Sequence, residues 1–372
     1  MEEWYNSINR SAKEVPMMTP KIHDEKSLDS FRINRRAALR STITAAGVAL
    51  VAPESRSAEA NHPDVANAPD PRKSASKSYR MKKSINLWAF PYPQRMSLNE
   101  CLQLAKEAGF EGIELNYDLD NDLSPKASTN QYRAIRKAAE EIGIAISGLC
   151  SFLYWPYSLT DNDPARRKRG LELAGLIIEA AHELGTENVL TIAGSTYIPW
   201  LPEREPVAID VCDRRARESI GQLVPLAERH GVFLNIENIG FNGYLTTPGE
   251  LNAFVDSFGS NHIKIHFDTG NVMLFQFPEH WIPLLGRRIK NVHFKEFSKK
   301  GTDHTLESFR TLLDGTTDWP AVMDALERAG YEGYVTFEYF HPFLHYPEAL
   351  IEQTSDALDR ILGRPVARRR LS

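Results

Sequence analysis

Four residues of ligating type close apolar runs in the second half of the chain: Glu237 in Asn235-Ile-Glu, Asp268 in His266-Phe-Asp, His293 in Asn291-Val-His and Glu338 in Thr336-Phe-Glu. Together they offer three carboxylate oxygens and one imidazole nitrogen. Burying three carboxylates side by side is costly unless a cation joins them, and a divalent metal removes that cost. A mostly oxygen set with one nitrogen suits Mn2+, Mg2+, Co2+ or Zn2+ without choosing among them. Each residue alone has a plainer account: a strand-end Glu often sits in a salt bridge or caps a loop amide, Asp268 can cap the turn after it, and His293 can be a satisfied core histidine. Four such ends on successive runs point instead to one shared site. Glu114 and Asn116 hold equivalent places in the earlier run 112–117.

For these side chains to meet, each run must be a strand whose last inward residue reaches a common rim. In the run 263–268, Ile263, Ile265 and Phe267 alternate with Lys264, His266 and Asp268, and Thr269-Gly270-Asn271 breaks the pattern. Seven further runs, at 85–90, 112–117, 145–150, 188–193, 232–238, 289–295 and 334–339, are predicted as strands. Helical periodicity separates them, at 97–108 with Ser97 as cap and at 128–142, 164–184, 210–229, 248–258, 319–329 and 347–362. This alternation predicts an α/β fold, a single (β/α)₈ barrel with its active rim at the carboxyl ends of the strands. A doubly wound open sheet is the alternative, but no Gly-x-Gly-x-x-Gly follows an early strand to bind a dinucleotide.

Over 372 residues the net charge is -5, which excludes a broad nucleic-acid face. The basic run Arg368-Arg369-Arg370 reads as part of a solvated tail, 364–372. At the other end, Arg35-Arg36 precede an apolar run at 41–52 and the small-x-small sequence Ala58-Glu59-Ala60. Segment 1–60 therefore resembles a twin-arginine export signal, with Asn34 and Ala38 departing from the usual pattern, and predicts a periplasmic or exported protein; the alternative is a cytoplasmic one. Its apolar run is too short to remain as a membrane span. Residues 61–80, rich in Pro, Ser and Lys, read as a disordered linker before a barrel at 81–363. Cys101, Cys150 and Cys212 have no C-x-x-C spacing and are expected to be buried free thiols.

The stretches Glu111-Gly-Ile-Glu-Leu115, Asn235-Ile-Glu-Asn238, Phe267-Asp-Thr-Gly-Asn271, Val292-His-Phe-Lys-Glu296, Asp318-Trp-Pro-Ala321 and Gly330-Tyr-Glu-Gly-Tyr-Val-Thr-Phe-Glu338 resemble the sugar phosphate isomerase/epimerase family, the xylose-isomerase-like barrel superfamily. The resemblance implies that Glu237, Asp268, His293 and Glu338 are metal ligands and that Glu237 and Glu338 also move protons. Where ketose epimerases of this family have a substrate-binding His three residues beyond the strand-six Asp, this chain has Asn271. The implied activity is metal-dependent isomerisation or epimerisation of a small sugar or sugar-like hydroxycarbonyl through an enediolate. Lys295 is then expected beside the developing oxyanion, Asn271 and Glu114 beside hydroxyl groups, and Trp88, with Phe90, Tyr154 and Trp155, as an apolar wall. The same apparatus can serve a lyase or hydrolase of 3-keto-glycosides, or be kept by a non-catalytic carbohydrate-binding barrel. A homo-oligomer is open on the sequence.

Overall fold

A computed structural model of the chain describes residues 77–300 and 304–366, so the export-signal segment, most of the linker and the arginine run lie outside the described residues. Eight strands form a closed barrel: β1 (Lys82–Asn86), β2 (Gly112–Tyr117), β3 (Ala145–Ser151), β4 (Asn188–Thr191), β5 (Phe233–Glu237), β6 (Ile263–Asp268), β7 (Ile289–Phe294) and β10 (Tyr334–Phe337). All pair in parallel with their sequence neighbours, and β10 closes onto β1. Between β7 and β10 a small antiparallel pair, β8 (Glu296–Phe297) and β9 (Phe309–Arg310), stands apart from the barrel sheet.

Helices cover the outside: α1 (Leu98–Glu107), α2 (Thr129–Ile142), α3 (Pro164–Leu184), α4 (Ile209–His230) and α5 (Pro248–Asp256), then, beyond the short α6 (Thr269–Met273) that follows β6 and is wholly buried, α7 (Pro278–Leu285), α8 (Trp319–Arg328) and α9 (Pro347–Ile361). Their starts carry the caps that the sequence advertises. Ser97, Ser128 and Thr247 form capping boxes, and Asp163 and Asp318 cap helices that open on Pro or Trp-Pro. Cys101, Cys150 and Cys212 are buried and free, as expected.

Three local expectations need correction. The first strand is Lys82–Asn86 rather than 85–90, because Lys83 buries its stem and pairs with Asp359 at 2.7 Å at the opposite end of the barrel from the ligating residues. Residues 87–89 instead make a 3₁₀ turn, with Asn86 Oδ1 accepting from Trp88 N at 2.8 Å. Helix α7 was not expected, since Pro278, Pro283 and Gly286 mask its short period. The body also extends past both expected boundaries: Tyr79 N donates to the Leu362 carbonyl at 3.0 Å, and Arg364 donates to Glu111 and to the Met81 carbonyl. Gly363 makes this closure possible, with φ +68° and a Cβ position only 1.9 Å from the Lys77 carbonyl oxygen.

Candidate metal centre

The inward residue at the carboxyl end of β5, β6, β7 and β10 is in each case one of the four ligating residues. One potential ligand atom from each of Glu237, Asp268, His293 and Glu338 lies within 4.8 Å of all the others, and all four residues are buried. His293 Nδ1 faces Glu338 Oε1 at 3.3 Å and Glu237 Oε1 and Asp268 Oδ2 at 3.9 Å each. Asp268 also does the capping that its position suggested: its Oδ1 accepts from Asn271 N at 2.8 Å, while Oδ2 stays turned to the cluster.

Three of the four residues expected to touch substrate sit in this network. Glu114 is fully buried behind His293, accepting from His293 Nε2 at 2.6 Å and Asn86 Nδ2 at 2.6 Å. Its place corrects the expectation that it contacts a substrate hydroxyl: the imidazole ring stands between it and the carboxylate cluster. Asn271 donates to Glu237 Oε1 at 3.2 Å and to the Asn238 carbonyl at 3.0 Å, so it orients Glu237. Lys295 Nζ lies 2.9 Å from Asp268 Oδ2 and also pairs with Glu338. Among the described residues it is the one ammonium in the cluster.

Trp88 stands in an aromatic wall that reaches the cluster through Phe340, whose ring lies 5.2 Å from the Lys295 ammonium. The Trp88 ring meets Phe340 at a 5.0 Å centroid distance and Phe152 at 5.9 Å, and the wall continues through Trp155 to Trp200. Asn116 satisfies its surroundings when its amide oxygen faces the Trp88 indole N–H, at 2.9 Å. Phe90 and Tyr154 belong instead to the hydrophobic core of the barrel, each nearly inaccessible. The sequence reading missed Phe152, Trp200 and Phe340. Phe152 directly follows β3 and Phe340 closely follows β10, positions where a loop residue returns over the rim, and that placement was the available signal.

The electrostatics test the residues against a metal. Burial pushes the Glu237 carboxyl well above the ordinary range, and Glu338 and Asp268 push it further. Burial likewise raises Asp268. For Glu338, burial is outweighed by Lys295 and His293, which hold it low. Burial would lower His293, yet Glu114 and Glu338 outweigh it and draw the ring toward its charged form. Four buried carboxylates thus share one ammonium and one imidazole, an excess of negative charge that a divalent ion would neutralise. His293 fits such an ion well. Glu114 holds the Nε2 proton, so a bound ion would take the place of the Nδ1 proton that otherwise faces the carboxylates, Glu338 Oε1 at 3.3 Å being the nearest.

A closed parallel barrel with an acidic, one-histidine cluster at the carboxyl rim defines the class: a (β/α)₈ protein suited to a divalent metal. Residues 102–361 match the family model described as xylose isomerase-like TIM barrel, and the chain belongs to that family. Its relatives include an L-ribulose-5-phosphate 3-epimerase of Escherichia coli, 24% identical over 71% of this chain and 91% of the relative. An L-ribulose 3-epimerase of Mesorhizobium japonicum is 28% identical over 65% of this chain and 75% of its own. Among solved structures, a D-psicose 3-epimerase determined in the presence of D-fructose superposes with a TM-score of 0.63 at 20% identity, covering 76% of this chain and all (100%) of that one. No helix among the described residues is long and apolar enough to cross a membrane.

Proposed function

We propose that this protein is a divalent-metal-dependent isomerase or epimerase of a sugar-like hydroxycarbonyl compound, with Glu237 and Glu338 moving the proton. The observation that carries the reading is the convergence of these two carboxylates on His293 Nδ1, with Asp268 completing the set. The epimerase relatives support it. Glu237, Asp268, His293 and Glu338 would hold the metal, which when bound supplies Lewis-acid stabilisation of an oxyanion.

The residues supply the rest. One glutamate takes the proton from the carbon beside the carbonyl, the C–H electron pair becomes the carbon–carbon double bond of the enediolate, and the carbonyl oxygen takes the negative charge. The other glutamate returns a proton to the opposite face or the adjacent carbon. Lys295, buried at the same rim, faces that developing charge. Asn271 keeps Glu237 aimed.

The aromatic wall favours a second reading, a lyase or hydrolase of 3-keto-glycosides. Rings Trp88, Phe152, Trp200 and Phe340, backed by the buried Trp155, form an apolar wall on which a second sugar or an aglycone would stack. That chemistry begins with the same proton abstraction but releases a free alcohol. The test is a screen of keto sugars and keto-glycosides with Mn2+ in D₂O. Deuterium entering the carbon next to the carbonyl without fragment release supports the first reading, and aglycone release supports the second. In either case Glu237→Gln is expected to lower turnover about a hundredfold or more while the protein stays folded; full activity in that variant sinks the acid/base pair.

A further inference from the structure

Directly beneath the cluster lies a second polar layer. Counting back two residues on each strand, so that the side chain points to the same face, His293 is preceded by Asn291, Asp268 by His266, Glu237 by Asn235 and Glu338 by Thr336. All four are buried to 1% exposure or less. A barrel interior at this depth is ordinarily filled by Val, Ile and Leu.

These groups are poorly satisfied within the protein. Both side-chain atoms of Asn291, both ring nitrogens of His266, Asn235 Oδ1, Thr336 Oγ1 and Glu114 Oε1 have no hydrogen-bond partner among the described residues. Glu114, Asn291 and the two histidines are neighbours across the barrel, and Thr336 and Asn235 stand at the same depth on their strands. A Cβ built on Gly148 would lie 2.9 Å from Glu114 Oε1 and 3.4 Å from Asn291 Nδ2, and the His266 and His293 rings meet at a centroid distance of 4.0 Å. Gly148 therefore keeps open a space that any other residue would fill. It does so because a bulge in the β2–β3 pairing sets Ile113 against Ile146 but Glu114 against Gly148.

The chemistry of the layer selects its ligand. Glu114, His266 and His293 lie close enough together to suggest a second cation, but the 2.6 Å bond between His293 and Glu114 occupies that line of approach. The Asn291 amide nitrogen and one His266 nitrogen are donors, which a bare cation does not accept, while the Thr336 hydroxyl and the Asn291 amide oxygen can each accept. A mixture of buried donors and acceptors, each costing free energy when unmet, is what ordered water satisfies.

We propose that this lower layer is a built site for ordered water, and that the water there binds Glu114 Oε1 and so fixes the Glu114–His293 pair under the metal centre. An atomic-resolution crystal structure of the full chain is expected to show waters within hydrogen-bond distance of Glu114 Oε1, Asn291 and His266. Absence of density, or an anomalous signal marking a metal ion, overturns the proposal. Thr336→Val, which keeps shape and strand preference, gives an opposite sign for the two cases. It lowers Tm if the hydroxyl holds water and raises it if the hydroxyl is orphaned in a dry layer, so a rise overturns the proposal.

The link to the metal rests on the metal reading above and is tested apart from activity. Gly148→Ala is expected to weaken Mn2+ binding about tenfold by calorimetry. Undiminished Mn2+ affinity in a folded Gly148→Ala protein that has lost the waters overturns the link, whereas no Mn2+ binding by the unaltered chain would sink the metal reading and leave the water site standing.

Discussion

Lys295 carries more of the cluster's charge balance than any other single residue. Its ammonium sits against Asp268 and Glu338 and beneath the faces of Phe309 and Phe340, 5.1 and 5.2 Å from their centroids. Burial would lower its pKa, but Asp268, Glu338 and Glu237 outweigh burial and keep it charged. Replacing it by Met removes a cation and leaves the carboxylates unscreened. Lys295→Met is expected to lower Tm in chelator and to regain most of that loss on addition of Mn2+, so that the metal-induced rise in Tm exceeds that of the unaltered protein. An equal rise in both proteins, followed by scanning fluorimetry, would show that the ammonium and the metal do not share the same charges.

Between elements, two buried carboxylates set where the loops lie. Glu296 on β8 is 1% exposed and accepts from Thr317 Oγ1 at 2.6 Å, Trp319 Nε1 at 2.7 Å and the Leu313 and Thr317 amides, tying β8 to the start of α8. Glu296→Ala strands those donors and is expected to cost about 3 kcal/mol in urea unfolding. Asp161, in the loop before α3, accepts from both Arg166 and Arg204. Arg204 also donates to the Pro156 carbonyl, so this knot joins the loop bearing Trp155 to the loop bearing Trp200. Burial raises the Asp161 pKa, but Arg166, the Asp163 amide and Arg204 together outweigh it and the net shift is downward. A depressed folded pKa means that the contribution is full above the ordinary carboxylate pKa and disappears as pH falls through the lower folded value. The Tm gap between the unaltered protein and Asp161→Asn, from a difference of about 2 kcal/mol, is therefore expected at neutral pH and should close on acidification; a gap independent of pH would place the effect in packing.

For the whole molecule, the proposed export of the chain by residues 1–60 has a direct check. If residues 1–60 direct export, N-terminal sequencing of the exported chain is expected to begin near Asn61, and replacing both Arg35 and Arg36 by Lys should block that export; processing unaffected by that change would remove the twin-arginine reading. Because Lys77 pairs with Asp324 and Glu327 and Tyr79 bonds to Leu362, the barrel should tolerate removal of residues 1–76 but lose stability when truncated to residue 81.

The alternating runs and the capped helices between them were enough to predict a parallel α/β fold and to favour the barrel, since each is a local pattern that hydrophobic burial reads directly, and pairing of β10 with β1 closes it. The same runs marked Glu237, Asp268, His293 and Glu338, because a polar residue that ends an apolar strand has few places to go. Which other groups meet them was settled only in three dimensions. Glu114 lies 179 residues from His293 along the chain and reaches it across the barrel interior. Bulges in the β2–β3 and β6–β7 pairings choose which side chains face inward, setting Glu114 beside Gly148 and His266 beside Asn291. No local period records a bulge, because it is a mismatch between two strands and belongs to neither; only closure of the sheet fixes it.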